Sequence, residues 1–165
     1  MELNLMPFYK MQDELDRRIE KEHQLESKDL FSEKILALLV EVGELANETR
    51  CFKFWSSKPP SSKAVILEEF VDGLHFVLSI GLTKSYNLPE AIPIEQPEKE
   101  IVQAFLAVYE DIQLLKMNEH DVNKYERLLE DYLMIGRILG FTADDIQDAY
   151  LSKNEVNHSR QDQGY

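Results

Sequence analysis

Residues 36–48, LALLVEVGELANE, and residues 64–81, AVILEEFVDGLHFVLSIG, decide the fold of this chain. Each stretch is too apolar for a surface helix that packs lightly against its neighbours. Their apolar residues recur at helical spacing, and neither stretch alternates strictly in the way of a half-buried strand. Both stretches are therefore predicted to be core helices, and the acidic residues inside them need a separate explanation.

The rest of the chain shows the same helical periodicity and no hairpin signals, so we predict an all-α, compact bundle of about six helices. The first helix is expected from about Met6 to Leu25, and Pro97 fits the first turn of the fourth. Ser61 or Ser62, Asp121 and Thr142 are suited to cap the third, fifth and sixth helices. The sixth is expected to fray near Asn157. We therefore predict a single domain over residues 1–158 and a polar tail over 159–165, which could become ordered over a substrate.

Composition limits the classes of function. The formal charge of −13 disfavours a nucleic-acid polymer as a partner. No apolar run is long enough to cross a bilayer, and the first residues lack the pattern of a signal peptide. One cysteine, Cys51, permits no intramolecular disulfide and no cysteine-based zinc site. These features predict a cytoplasmic protein without a membrane partner.

Acidic residues interrupt both core helices at helical spacing. Glu41 and Glu44 lie three residues apart, with Glu48 one turn further, and Glu69 and Asp72 repeat the spacing. Like charges on one face repel unless a cation neutralises them. Because Mg²⁺ binds carboxylate oxygens, waters and substrate phosphates, the two pairs predict a magnesium site. The alternative is that some of these acids lie on solvated faces.

Two further observations bear on this site. A di-iron bundle needs Glu-x-x-His on two helices, and only the pair Asp72 and His75 comes close. His75 itself could be either a satisfied core imidazole or a group that hydrogen-bonds a substrate. Gly43 and Gly73 weaken their helices by about 1 kcal/mol each relative to alanine, which indicates a close approach of another helix.

A row of polar residues near the carboxyl end complements the acids. Lys153, Asn157 and Arg160 are spaced by four and three residues, so they share one helical face. Two cations and an amide on one face are suited to phosphate oxygens. The alternative is that the basic residues only interact favourably with the dipole of a helix end.

With these motifs in view, the chain resembles the dimeric dUTPase family of the all-α NTP pyrophosphatases, relatives of the MazG-type enzymes. The similarity covers nearly the whole chain. The segments that carry it are MQDELDRRI, Glu41-x-x-Glu44, CFKFWS, Glu69-x-x-Asp72 followed by GLHF, and KNEVNHSRQDQGY. The two acidic motifs are common to the superfamily, whereas the aromatic loop and the final segment indicate the dUTPase branch.

This resemblance implies an enzyme that hydrolyses dUTP to dUMP and pyrophosphate and so limits uracil incorporation into DNA. It implies two or more Mg²⁺ ions, replaceable by Mn²⁺, held by Glu41, Glu44, Glu69 and Asp72. The family gives the role of general base to a glutamate of the first motif, and we favour Glu41. Such metal ions would neutralise the triphosphate while a water molecule attacks phosphorus.

The resemblance also suggests how the base is recognised. Trp55 could stack on uracil or could be a core or interface aromatic, and Gln12 and His75 could hydrogen-bond the base. Asp16 stands where we expect asparagine in many relatives, and a carboxylate only accepts where an amide also donates. A homodimer is expected from the resemblance and from the wide apolar faces of the helices.

Two alternatives to dUTP hydrolysis remain at this point. One is a sibling enzyme of the same fold that acts on another nucleotide such as dCTP. The other is a non-catalytic helical interaction protein whose acids serve solubility. The enzymes should be stabilised thermally by Mg²⁺ with nucleotide, whereas the interaction protein should not.

Overall fold

Six helices and a two-stranded ribbon make up the part of the chain that the computed structural model describes, residues 2–93, 97 and 99–165. The strands pair antiparallel, with Leu3 opposite Ile92. In chain order the elements are β1 (Glu2–Asn4), α1 (Met6–Glu22), α2 (Phe31–Thr49), α3 (Lys63–Thr83), β2 (Ala91–Pro93), α4 (Ile101–Met117), α5 (Val122–Ile138) and α6 (Ala143–Asp162). The all-α prediction is confirmed, and the small ribbon is an addition to it.

Local capping signals place three helix starts. The Ser62 hydroxyl accepts a hydrogen bond from the Val65 amide at the start of α3, and Asp121 accepts from the Asn123 amide at the start of α5. Thr142 forms a complete capping box with Asp145 at the start of α6. These side chains satisfy amide groups that a helix cannot pair internally, and the sequence predictions for them are confirmed.

Two helix ends differ from expectation. Pro97 does not lie in the first turn of α4, because the backbone remains extended at Glu100 and the helix begins at Ile101. The sixth helix does not fray near Asn157 but continues to Asp162. Its last turns are held to α1 by Arg18, which donates to the His158 carbonyl and pairs with Asp162 at 2.5 Å. Much of the expected polar tail is therefore helical.

Helix α3 is the central element of the bundle, and α1, α2, α5 and α6 all pack on it. A Cβ atom on Gly73 would lie 2.0 Å from the Tyr132 hydroxyl of α5, which itself donates to the Phe70 carbonyl at 2.7 Å. A Cβ atom on Gly43 of α2 would lie 3.2 Å from the Tyr109 hydroxyl of α4. The close approach expected at both glycines is confirmed.

This packing places α1, α2 and α6 around one face of α3, so their polar residues converge. No helix in the described residues is long and apolar enough to span a bilayer.

Candidate active site

Three of the predicted acids converge between the two core helices. Glu41 of α2 and Glu69 and Asp72 of α3 each offer a carboxylate oxygen, and these three oxygens lie within 4.8 Å of one another. All three residues are half-buried. Oxygen donors at this separation have the chemistry that Mg²⁺ or Mn²⁺ prefers.

The surroundings of these three acids disfavour their charged forms and raise their pKa values. Burial, followed by the charges of Asp72, Glu44 and Glu69, raises the pKa of Glu41 to about 7. Burial and nearby carboxylates also raise the pKa of Glu69. The pKa of Asp72 is raised by burial, although Lys153 opposes the shift. A divalent ion would remove this repulsion, which makes the residues suitable for one.

The two remaining acids of α2 lie beside the cluster. Glu44 lines a small depression together with Glu69, and its hydrogen bond with Glu41 helps to raise the pKa of Glu41. Glu48 lines the same depression and accepts a hydrogen bond from the Ser61 hydroxyl. Glu44 is thus a neighbour of the three convergent acids, and its role as a ligand stays a prediction.

The polar row of α6 faces the acids. The Lys153 ammonium lies 2.8 Å from Asp72 and 3.1 Å from Glu68. Burial lowers the pKa of Lys153, but the contacts with these carboxylates outweigh burial and raise it. Asn157 and Arg160 lie one and two turns further along α6, and together with Lys153 they line a cavity beside the acids. Arg160 donates to Asn157 at 3.4 Å. The expected common face of these residues is confirmed.

This cavity has a volume of about 330 Å³ and lies next to the acidic cluster and the polar row of α6. Its size is typical of a site for a small ligand. Helix α1 contributes Gln12 and Asp16 to its wall, and α3 contributes Asp72 and His75. Glu41 also lines it. The structure therefore brings the predicted base-binding residues Gln12, Asp16 and His75 to the same cavity as the acids and the cations.

A buried hydrogen-bond network forms one wall of this cavity. The Gln12 carbonyl oxygen lies 2.5 Å from His75 Nδ1 and accepts from the Tyr150 hydroxyl at 2.5 Å. The Gln12 amide nitrogen donates to Asp16 at 2.7 Å, and the Ser79 hydroxyl donates to the other Asp16 oxygen at 2.7 Å. The polar side chains of this wall fix one another's orientation.

Burial controls the charge of two groups in this network. Burial, with a smaller effect of Lys153, lowers the pKa of His75 to about 3, so the imidazole is neutral at physiological pH. Burial raises the pKa of Asp16, whereas Lys34, Ser79 and Gln12 stabilise its charged form and oppose the shift.

Trp55 does not line this cavity. It is 65% exposed, in the loop between α2 and α3, and its ring contacts Phe54 and Phe52 at centroid distances of 5.1 and 6.0 Å. Trp55 is therefore not part of the core, and within one chain it is not placed to stack on a base in the cavity.

Three residues of the site went unnoticed in the sequence: Lys34, Ser79 and Tyr150. Lys34 and Ser79 line the cavity, and Tyr150 stacks on His75 with a centroid distance of 4.1 Å. Helical spacing could have found two of them, because Lys34 precedes Glu41 by seven residues and Ser79 follows Asp72 by seven, which places each on the same helical face as an acid. Tyr150 is found only from the packing of α6 on α3.

An all-α fold that sets carboxylates, a facing cation row and a small-molecule cavity together defines a helical protein suited to a phosphorylated ligand. The model of the dUTPase family matches residues 4–165, so the chain belongs to this all-α dUTPase family. It is a hydrolase of dUTP, a dUTP diphosphatase that forms dUMP and pyrophosphate. A search of curated proteins gave no match.

Proposed function

We propose that this dUTP diphosphatase is Mg²⁺-dependent and that Glu41, Glu44, Glu69 and Asp72 hold two or more ions, with Mn²⁺ as a substitute. The observation that carries this proposal is the group of three carboxylate oxygens within 4.8 Å of one another. Burial, and then the charges of neighbouring carboxylates, raise the pKa values of Glu41 and Glu69 in this group. The metal ions, when bound, supply neutralisation of the triphosphate and activation of water. Within the described residues this group contains no histidine, which supports Mg²⁺ over a di-iron centre.

Glu41 is the proposed general base. Its carboxylate belongs to the acidic cluster and lines the cavity, where it can take a proton from water. Attack of that water on the α-phosphorus breaks the bond to the bridging oxygen and releases pyrophosphate. Glu44, which hydrogen-bonds Glu41, orients its carboxyl group.

Lys153, Asn157 and Arg160 are the proposed phosphate-binding residues. Lys153 is paired with Asp72, so its ammonium is held beside the acids. Arg160 can bind phosphate oxygens through two parallel hydrogen bonds, and Asn157 can donate its amide hydrogens.

Gln12, Asp16 and His75 are the proposed base- and sugar-binding residues, because they line the cavity next to the acids. Trp55 lies away from this cavity in its own protomer, so stacking on the base requires the loop of a second protomer. A Trp55→Ala variant that keeps the KM for dUTP unchanged would remove Trp55 from this role.

A homodimer is proposed on the α2–α4 face, which we define by Leu36, Val40, Phe52 and Leu106. These four apolar side chains are between 42% and 63% exposed. An apolar groove of about 280 Å³ runs between the two helices beside them. Exposed apolar surface of this kind is typical of an interface, and a two-fold dimer would cover it on both copies.

A cytoplasmic location is proposed from Cys51, a free cysteine that suits a reducing compartment. Fractionation of cells that produce the protein would test the location.

The central test is pyrophosphate release from dUTP, with dTTP, dCTP, dATP and UTP beside it, across a titration of Mg²⁺ or Mn²⁺. We expect selective and metal-dependent cleavage of dUTP. Glu41→Gln should reduce kcat by about 100-fold or more, because it removes the base. Glu33→Gln is the matched control, since Glu33 is exposed on the same helix and pairs with Lys28. Full activity without a divalent ion would refute the metal proposal, and selective cleavage of dCTP would indicate a sibling activity.

A further inference from the structure

Helix α6 closes beside the cavity in a turn that leads the chain back toward Arg160. Gly164 has a φ of 72°, in the left-handed region, and its amide donates to the Gln161 carbonyl at 3.1 Å. The Tyr165 amide donates to the Arg160 carbonyl at 2.9 Å. This pair of hydrogen bonds is the Schellman motif of a helix end. Arg160, Gln161 and Tyr165 all line the cavity, so the turn forms part of its wall.

The same turn fixes the side chain of Arg160. The guanidinium carbon lies 5.3 Å from the centre of the Tyr165 ring, which is a cation–π contact. One guanidinium nitrogen donates to the side-chain oxygen of Asn157 at 3.4 Å. The ring of Tyr165 reaches Arg160 only while the last turn is wound. The position of this cation at the cavity therefore depends on what holds the turn in place.

Arg18 of α1 holds the last turns of α6 through several contacts. Its Nη1 donates to the His158 carbonyl at 3.2 Å and lies 3.2 Å from Nδ1 of the same residue. Its Nη2 pairs with Asp162 at 2.5 Å, and its Nε pairs with Glu22 on its own helix at 2.8 Å. We call the contacts of Arg18 with His158 and Asp162 the Arg18 clasp. The clasp joins the helix that carries the proposed base-binding residues to the helix that carries the phosphate-binding ones.

The clasp lies at the surface and outside the cavity wall. The side chains of Arg18 and Asp162 are 28% and 67% exposed, and neither residue lines the cavity. Ion pairs in such positions contribute little to global stability. The last turn of a helix, however, is close to balance between wound and frayed, because its carbonyl groups lack partners within the helix. Small contributions decide such a balance, so the clasp can control the turn without controlling the fold.

We propose that Arg18 is a positioning residue for substrate binding: the Arg18 clasp keeps the last turn of α6 wound, so that Arg160 and Tyr165 stand at the cavity before dUTP binds. The substrate then does not have to order these side chains, which lowers the entropic cost of binding. Arg18 acts through Arg160 and does not touch the substrate. This inference rests on the proposed role of Arg160 in phosphate binding.

The first readout needs no activity. NMR of the full chain without nucleotide measures hydrogen exchange at the Gly164 and Tyr165 amides, whose acceptors lie in the last turns. Arg18→Gln should speed exchange at both amides by about fivefold or more, because it removes the donors and the charge that hold the turn. Asp162→Asn breaks the clasp from the side of α6, at an exposed residue, and should speed exchange by a smaller factor.

Arg17→Gln is the matched control. Arg17 precedes Arg18 on α1, is exposed, and pairs with Asp13 on its own helix, so its loss should leave both exchange rates unchanged. Equal exchange in wild type and folded Arg18→Gln would overturn the proposal. If Arg18→Gln does not fold, Asp162→Asn decides, and unchanged exchange in that variant would overturn the proposal as well.

Kinetics test whether the clasp acts through Arg160. Arg18→Gln should raise the KM for dUTP by about fivefold, with kcat changed by less than about twofold. The rise should largely vanish in an Arg160→Gln background, because the clasp then has no cation to position. A full rise in that background, or a fall in kcat in place of the rise in KM, would overturn the proposal. An unchanged KM in Arg160→Gln alone would refute the proposed phosphate role of Arg160 and this proposal with it, and the exchange rates distinguish that result from a failure of the clasp.

Discussion

Asp111 of α4 carries a carboxyl group that is 1% exposed and lies 2.9 Å from Arg127 of α5, an ion pair without regular hydrogen-bond geometry. Burial, and then the neighbouring carboxyl group of Asp131, raises the pKa of Asp111 well above its usual range. The native state therefore holds a proton here more tightly than the unfolded chain does. The resulting stability is present at low pH and is lost as pH rises toward neutrality.

Asp111→Asn should abolish this pH dependence, since the neutral amide keeps a polar partner for Asp131 and has no buried charge. We expect the variant to be more stable than wild type at pH 8 by about 1 to 3 kcal/mol, with a smaller difference at pH 5. Urea unfolding at both pH values measures it. Glu110→Gln, at an exposed neighbouring position, should change neither curve. Equal effects of Asp111→Asn at both pH values would contradict the assignment.

The candidate site shows which residues can be found from sequence alone. Glu41, Glu69 and Asp72 stood out because charge is costly inside apolar runs, and the structure brings them together. Ser79 and Tyr150 did not stand out, because a serine or tyrosine in a helix is ordinary. Their importance comes from contacts across the bundle, such as the one that joins Tyr150 to Gln12.

Helix ends and strands could be predicted where the interacting residues are close in sequence. The starts of α3, α5 and α6 were predictable because a cap and the amides it satisfies are neighbours in the chain. The ribbon was not, because Leu3 and Ile92 are far apart in sequence and each strand has only three residues. The far end of α6 was also missed, since its last turn is held by Arg18 of a distant helix.

Thr142→Ala tests how much α6 depends on its capping box. The substitution leaves the Asp145 amide without its acceptor, so the free energy of unfolding should fall by about 1 kcal/mol. Chemical denaturation gives this value. Ser152→Ala, at an exposed position inside the same helix, should have little effect. An equal loss in both variants would show that the cap is not the cause.

Gly73→Ala tests the contact between α3 and α5. The new methyl group would overlap Tyr132, a ring with no room to move because it is fully buried, and unfolding should become easier by about 2 kcal/mol or more. A double-mutant cycle with Tyr132→Phe measures the coupling, because removal of the hydroxyl relieves the nearest overlap. The cost of Gly73→Ala should be smaller in that background, and strict additivity would speak against the contact.

At the level of the whole molecule, the proposed dimer can be tested by substitutions on the α2–α4 face. Leu106→Glu places a charge on this face and should shift the protein to monomer in sedimentation velocity, because an unpaired charge at a buried interface is costly. Leu151→Glu is a matched control on α6, where leucine is also exposed. A monomeric wild type at micromolar concentration would rule out the dimer, and a dimeric Leu106→Glu would place the interface elsewhere.

The wall of the cavity joins the two halves of the chain, since Gln12 and Tyr150 are 138 residues apart. During synthesis, α1 leaves the ribosome early, yet Gln12 can accept from Tyr150, and Arg18 can pair with Asp162, only when α6 has emerged. A nascent chain that stops before α6 lacks the cation row and the stacking partner of His75 as well. Chains truncated in this way would lack the residues of α6 that are proposed to bind phosphate.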